Sequence, residues 1–290
     1  TNISCSGDTT GAIELNIEQI NAPYTVLWST GSIAESVSGL AAGTYTVTLT
    51  DGGGCELLRT LTLTESSPLS GITTATAETA YESNDGTVSI IANGGMAPYT
   101  YAWSTGTSTA DISDLSGGAY TVTVSDANGC SYTETVNVAA YVCPSFDIVN
   151  FNKTDNLCSG EAHGILSASI QGGTAPYAFN WSNGATSAIL DGLEAGTYSL
   201  TVTDSKNCPT IGIASVVEPS ELVAIAAISH VSGVGLADGS ASLAIQGGAT
   251  PYVIDWSNGT SHVSIENLSV GSYSYTITDN NGCQIVEDIT

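Results

Sequence analysis

A chain of 290 residues can hold one large domain or several small ones. It carries 28 acidic against 3 basic residues, for a formal net charge of −25, so the imbalance comes from missing bases rather than surplus acid. Arg59, Lys153 and Lys206 cannot form the basic stripe that releases counterions from nucleic acid, and the same deficit disfavours anionic membrane surfaces. No run approaches the roughly 18–20 apolar residues of a membrane helix. The opening TNISCSGDTT lacks the basic and apolar regions of a secretion signal.

Taken in chain order, the first distinctive element is APYTVLWSTG at 22–31. It returns as APYTYAWSTG at 97–106, APYAFNWSNG at 175–184 and TPYVIDWSNG at 250–259. The second is a strand block, GTYTVTLTD, returning as GAYTVTVSD, GTYSLTVTD and GSYSYTITD. Trp28, Trp103, Trp181 and Trp256 keep one register with Tyr45, Tyr120, Tyr198 and Tyr273, with Asp51, Asp126, Asp204 and Asp279, and with Cys55, Cys130, Cys208 and Cys283. A period of this kind marks a tandem array. Apolar and polar residues alternate in GAYTVTV with the period of a half-buried strand, and Gly after Asn or Thr suits a tight hairpin. Roughly seven short strands in about 75 residues predict a small Greek-key sandwich of immunoglobulin type.

The linkers TESSPLS, AAYVCPS and VVEPSEL each carry a proline. They divide the chain into repeats 1–67, 68–143, 144–219 and 220–290, the first reading as clipped at its N-terminal end and the last at its C-terminal end, a window on a longer array. The interval from Cys5 to Cys55 equals that from Cys158 to Cys208, which suggests two equivalent disulfides. Each would close a loop worth about 4 kcal/mol in the chain-entropy model. Cys130, Cys143 and Cys283 are then left without register partners. Without a CxxC motif or neighbouring histidines, disulfides outweigh zinc, and they imply an oxidising compartment.

The four tryptophans suit a sandwich core better than a row of sugar-stacking platforms, and the four tyrosines suit corner positions that hydrogen-bond backbone. The four aspartates invite calcium, the one cofactor to weigh. Calcium needs six to eight oxygens, however, and each turn offers one carboxylate, which an Asx-turn explains without metal; Asp85 and Asp238 are the candidate additional ligands. His163, His230 and His262 fall at unlike register positions and no hydrolase or nucleotide motif is present, so the chain reads as no enzyme.

The residues GGTAPYAFNWSNGATSAILDGLEAGTYSLTVTDSKNC resemble the SprB-type repeat of very large Bacteroidetes surface adhesins, and the resemblance extends over all four copies. Repeat 1 departs in lacking the double glycine and repeat 3 in lacking the glycine before Cys208. PKD-like and fibronectin-III-like modules share the G-T-Y-x-V-x-V strand. The resemblance implies a structural stalk segment of a cell-surface filament, secreted by the type IX route, outside the cell, with a role in adhesion or gliding and with neighbouring repeats and surface glycans or proteins as partners. Two alternatives are a calcium-dependent carbohydrate-binding array and a self-assembling extracellular fibre subunit.

Overall fold

The computed structural model describes residues 1–18, 20 and 22–290. They form two compact units, Thr1–Val142 and Cys143–Thr290, each holding two repeats. Repeat 1 contains β1 (Gly11–Glu14), β2 (Thr25–Trp28), β3 (Ser36–Leu40), β4 (Gly43–Thr50) and β5 (Glu56–Leu63). Repeat 2 contains β6 (Ser70–Thr76), β7 (Gly86–Asn93), β8 (Thr100–Trp103), β9 (Asp111–Leu115), β10 (Gly118–Ser125) and β11 (Ser131–Val138). In repeat 3 follow β12 (Phe146–Thr154), β13 (Gly164–Gly172), β14 (Ala178–Trp181), β15 (Ile189–Leu193), β16 (Gly196–Thr203) and β17 (Pro209–Val216). Repeat 4 contains β18 (Val223–Ser229), β19 (Gly239–Gln246), β20 (Val253–Trp256), β21 (Ser264–Leu268), β22 (Tyr273–Thr278) and β23 (Gln284–Ile289).

Repeats 2, 3 and 4 each fold into two three-stranded antiparallel sheets, ordered β6-β7-β9 with β8-β10-β11 in repeat 2 and likewise in the others. This is the expected immunoglobulin-like sandwich, with six strands per complete repeat rather than about seven. No strand forms between β8 and β9 because residues 104–110 are spent on closing over the tryptophan. Gly106 N–H donates to the Trp103 carbonyl at 2.9 Å, and the Trp103 indole Nε1 donates to the Thr109 carbonyl at 2.9 Å.

Alternation decides the core. In the central strands β4, β10, β16 and β22 the inward positions are fully buried, with Val47, Val122, Leu200 and Ile277 at 0% exposure. Burying such a side chain contributes roughly 1.5–3 kcal/mol. The threonines and serines between them lie on the wetter face; Thr121 and Thr135, for example, pair across β10 and β11 at 2.8 Å.

Strand direction places the loops. Gly43 pairs with Leu63 and Gly11 with Leu40 at one pole of repeat 1, while Thr25, Thr50 and Glu56 meet at the other. The first pole receives the loop that enters β1, and the second carries the β4–β5 hairpin.

Candidate functional site at the repeat junctions

Each β-hairpin that ends a repeat is built around its aspartate. In repeat 2 the Asp126 carboxylate accepts the Asn128 and Cys130 N–H groups on Oδ1 and the Met96 N–H on Oδ2, all at 2.9 Å. Asp204 takes the N–H groups of Lys206, Cys208 and Thr174, and Asp279 those of Asn281, Cys283 and Ala249, at 2.8–3.0 Å. Asp51 holds Gly53 and Cys55 at 2.9 Å. The double glycine belongs to this cage. A Cβ on Gly94 would lie 1.9 Å from the Pro68 carbonyl, and one on Gly95 2.5 Å from Asp126 Oδ2. Repeat 1, with the undescribed position 19 and Ile20 there, departs from the motif.

Burial pushes the carboxyls of Asp126, Asp204 and Asp279 up, and the surrounding backbone N–H donors more than offset it, holding all three below the usual carboxylate range. Asp85 falls to about 2 because the Ser83 and Thr79 hydroxyls donate to it. Asp238 is lowered in the same way by Ser232. Groups depressed on folding contribute stability that is complete above about pH 4 and lost as pH falls through their folded values. The chain is therefore expected to show flat urea stability from pH 7 to about 5 and a progressive decline below about pH 4; a decline already complete by pH 5 would contradict this origin. These carboxylates are engaged by backbone donors, as the Asx-turn reading has it, and among the described residues no group of three or more His, Cys, Asp or Glu side chains converges to hold a metal.

The tryptophans lie inside the sandwiches, with Trp28, Trp103, Trp181 and Trp256 only 2–4% exposed. Every indole N–H is matched to a carbonyl six residues on, at Ala34, Thr109, Ser187 and His262, over 2.8–3.0 Å. Buried rings of this kind offer no face to a sugar. The tyrosine hydroxyls of Tyr45, Tyr120, Tyr198 and Tyr273 each donate to the carbonyl four residues back, at 2.8–3.1 Å.

The cysteine pairing differs from the expectation drawn from equal intervals. Cys5 bonds Cys130 and Cys158 bonds Cys283, each across 125 residues; Cys143 bonds Cys208, and Cys55 is free and exposed. Cys5 cannot reach Cys55 because the eight-residue strand β4 separates the poles on which they sit, a span of about 26 Å against the roughly 6 Å a disulfide bridges. The same holds for Cys158 and Cys208 across β16. Cys130, Cys143 and Cys283, left over in the sequence reading, are all bonded.

Two of these bonds join different repeats. The terminal hairpin of repeat 2 sits on the loop before β1, where Cys5 Sγ meets Cys130 Sγ and the Asn128 side-chain N–H donates to the Ser4 carbonyl at 3.1 Å. Repeat 4 grips the β12–β13 loop of repeat 3 identically, through Cys283 and through Asn281 onto the Leu157 carbonyl at 2.9 Å. An asparagine at the third position of DANGC and DNNGC marks these two clamps; DGGGC and DSKNC lack it. That position, missed in reading the sequence, is the local signal that distinguishes a clamping hairpin.

Fold and junctions together define an array of immunoglobulin-like sandwiches cross-linked in pairs, and the disulfides belong to an oxidising compartment. The family model of the SprB repeat matches residues 1–33, 79–108, 150–186 and 226–261, one stretch in each repeat. Among solved structures it is similar to a tetra-tandem repeat in the extending region of a large adhesion protein, at 15% identity over 98% of this chain and 92% of that one, TM-score 0.27. It is also similar to the Ig1–Ig3 ectodomain of mouse nectin-like molecule 4, at 11% identity over 77% of this chain and 99% of that one, TM-score 0.34. A third is the N-terminal eight Ig domains of Down Syndrome Cell Adhesion Molecule, at 12% identity and TM-score 0.26, where 99% of this chain spans 58% of that one. No curated protein matches. Among the described residues no helix is long and apolar enough to cross a membrane.

Proposed function

We propose that the chain is a load-bearing stalk segment of a secreted cell-surface adhesin, in which the repeats run 1–67, 68–143, 144–219 and 220–290. The carrying observation is the connectivity of the cross-links. Tension entering at Thr1 reaches Cys5, crosses to Cys130, follows the chain to Cys158 and crosses again to Cys283. The segments of 125 residues closed by each clamp lie off this path. About forty residues bear load, a contour of roughly 150 Å at ~3.5 Å per residue, where the uncrosslinked chain would pay out roughly 1,000 Å. Neither repeat of a pair can be unravelled end to end while its clamp holds.

The SprB repeat supports an adhesin setting, and the disulfides support a place outside the cytoplasm. Attachment to surface glycans or proteins, gliding motility and type IX secretion are parts of the same proposal. The scarcity of basic residues, 3 against 28 acidic ones, keeps such a stalk clear of nucleic acid and anionic lipid. Neither alternative function gains an observation: the tryptophans are buried, and Cys143 and Cys283 have partners within the chain. Pulling single molecules by their termini tests the reading. The oxidised chain should stop near 150 Å of contour and the reduced chain near 1,000 Å; full extension of the oxidised chain would refute it.

A further inference from the structure

In repeat 3, β17 is an edge strand of the sheet ordered β14-β16-β17. Asp204 N–H donates to the Cys208 carbonyl at 3.0 Å, so by the alternation of an antiparallel ladder Thr210, Gly212, Ala214 and Val216 turn their backbone groups toward β16. Those of Pro209, Ile211, Ile213 and Ser215 point away from the sheet. The C-terminal end of this edge is covered: Lys153 Nζ donates to the Ser215 carbonyl at 3.4 Å, and Val217 N–H donates to Asp155 Oδ1 at 3.0 Å. Among the described residues nothing meets the N–H and C=O groups of Ile211 and Ile213.

Charge is a common guard of such edges against pairing with another chain. The strand at the same place carries Glu56 and Arg59 in β5, Glu134 in β11, and Glu287 and Asp288 in β23, whereas β17 carries no charged residue. It shows instead Ile211 and Ile213, 70% and 67% exposed, two residues apart on its outer face. Its inner face is fixed by β12. Ile148 and Phe151 pack against Gly212 so closely that a Cβ there would lie 2.8 Å from the Phe151 ring. The open edge is thus held extended before any partner arrives.

We infer that β17 pairs with β17 of a second copy of this chain, antiparallel about a two-fold axis through Gly212. The occupant follows from self-complementarity of the edge. In this register Ile211 exchanges both backbone hydrogen bonds with Ile213 of the second copy, and Ser215 N–H donates to the Pro209 carbonyl. Pro209 has no N–H to return, and the Ser215 carbonyl opposite it needs none, since Lys153 already occupies it. An axis through Ile211 would instead set the Ile213 carbonyl against Pro209, and one through Ile213 would set Ile211 N–H against the occupied Ser215 carbonyl. The isoleucines of the two strands then meet as cross-strand pairs on the outer face. Each copy carries a net charge of −25, so the pairing strengthens as salt screens their repulsion. Such an interface uses one patch twice and closes at two copies, joining two stalks side by side rather than building a fibre.

Sedimentation of the full chain tests the pairing. At about 1 M salt, where the Debye length falls to about 3 Å, the mass is expected to rise with concentration toward twice that of a single chain, and at low salt to rise less. Ile211→Lys should weaken the association by at least ~10-fold, even though the added lysine reduces the net negative charge. Val286→Lys, the same change at the exposed residue of β23 that stands where Ile211 does, should leave it unchanged. Register is read by cross-linking in a Cys55→Ser background. Chains with Ile211→Cys mixed with chains with Ile213→Cys should form a disulfide-linked dimer under mild oxidation, which neither chain should form alone. A mass independent of concentration would overturn the inference. So would an association that survives Ile211→Lys or is lost equally in Val286→Lys, and so would cross-linking as fast with one chain alone as in the mixture.

Discussion

Replacing Cys5 and Cys130 with serine, with Cys55 also serine to silence exchange, is expected to lower the stability of the Thr1–Val142 unit by about 2–5 kcal/mol. For a unit of that length the melting transition falls by roughly 10 °C. The Cys143–Thr290 unit keeps its clamp, so calorimetry of the full chain should resolve a lowered transition beside an unmoved one. The mirror variant, Cys158→Ser with Cys283→Ser, should move the other. The clamp closes a longer loop than a pairing inside one repeat would, which raises its entropic effect on the unfolded chain only slowly with length. What it adds is coupling: with Cys5 bonded to Cys130, repeats 1 and 2 cannot separate when one opens. A single unmoved transition in the serine variant would show that the hairpin–loop contact needs no covalent bond.

The second large effect is expected at Asp126. Asp126→Ala leaves the N–H groups of Met96, Asn128 and Cys130 without the acceptor that now holds them at 2.9 Å. Unsatisfied donors cost about 1–3 kcal/mol each, with water recovering part, so a loss of about 3–5 kcal/mol is expected by urea titration. Asp126→Asn keeps an acceptor for the Asn128 and Cys130 donors but turns an amide N–H₂ toward Met96, and should cost less, about 1–2 kcal/mol. The hairpin that Asp126 shapes also carries Asn128 and Cys130 onto the Ser4 loop. The alanine variant should therefore expose the clamp to reductant sooner than the asparagine variant does. Equal losses in the two variants would show that acceptor geometry is not what matters at this position.

Much of the architecture is legible in the residues themselves. The recurrence of Pro-Tyr-x-x-x-Trp at fixed register, with alternating Tyr, Val and Thr in the next block, reports local backbone geometry, and local geometry is what period and turn residues encode. The burial of the indoles and the aspartate turns follow from positions a few residues apart. The number of strands was less legible, since whether residues 104–110 form a ladder or a cover depends on where the Trp103 indole points.

By itself the sequence determined that four copies of one small β module are strung together, that each carries Trp, Tyr, Asp and Cys at fixed places, and that three basic residues make no basic stripe. Only the tertiary structure decided which cysteines meet. Several intervals repeat among the cysteines, among them that from Cys5 to Cys55 and that from Cys5 to Cys130, each echoed from Cys158. Nothing in a list of positions ranks one above the other. The choice falls to strand direction: an eight-residue strand carries Cys55 to the far pole from Cys5, while stacking the next repeat brings its hairpin to the near one. Disulfide bonding depends on distances of a few ångströms between residues far apart in the chain, and those are set by how whole sandwiches stack.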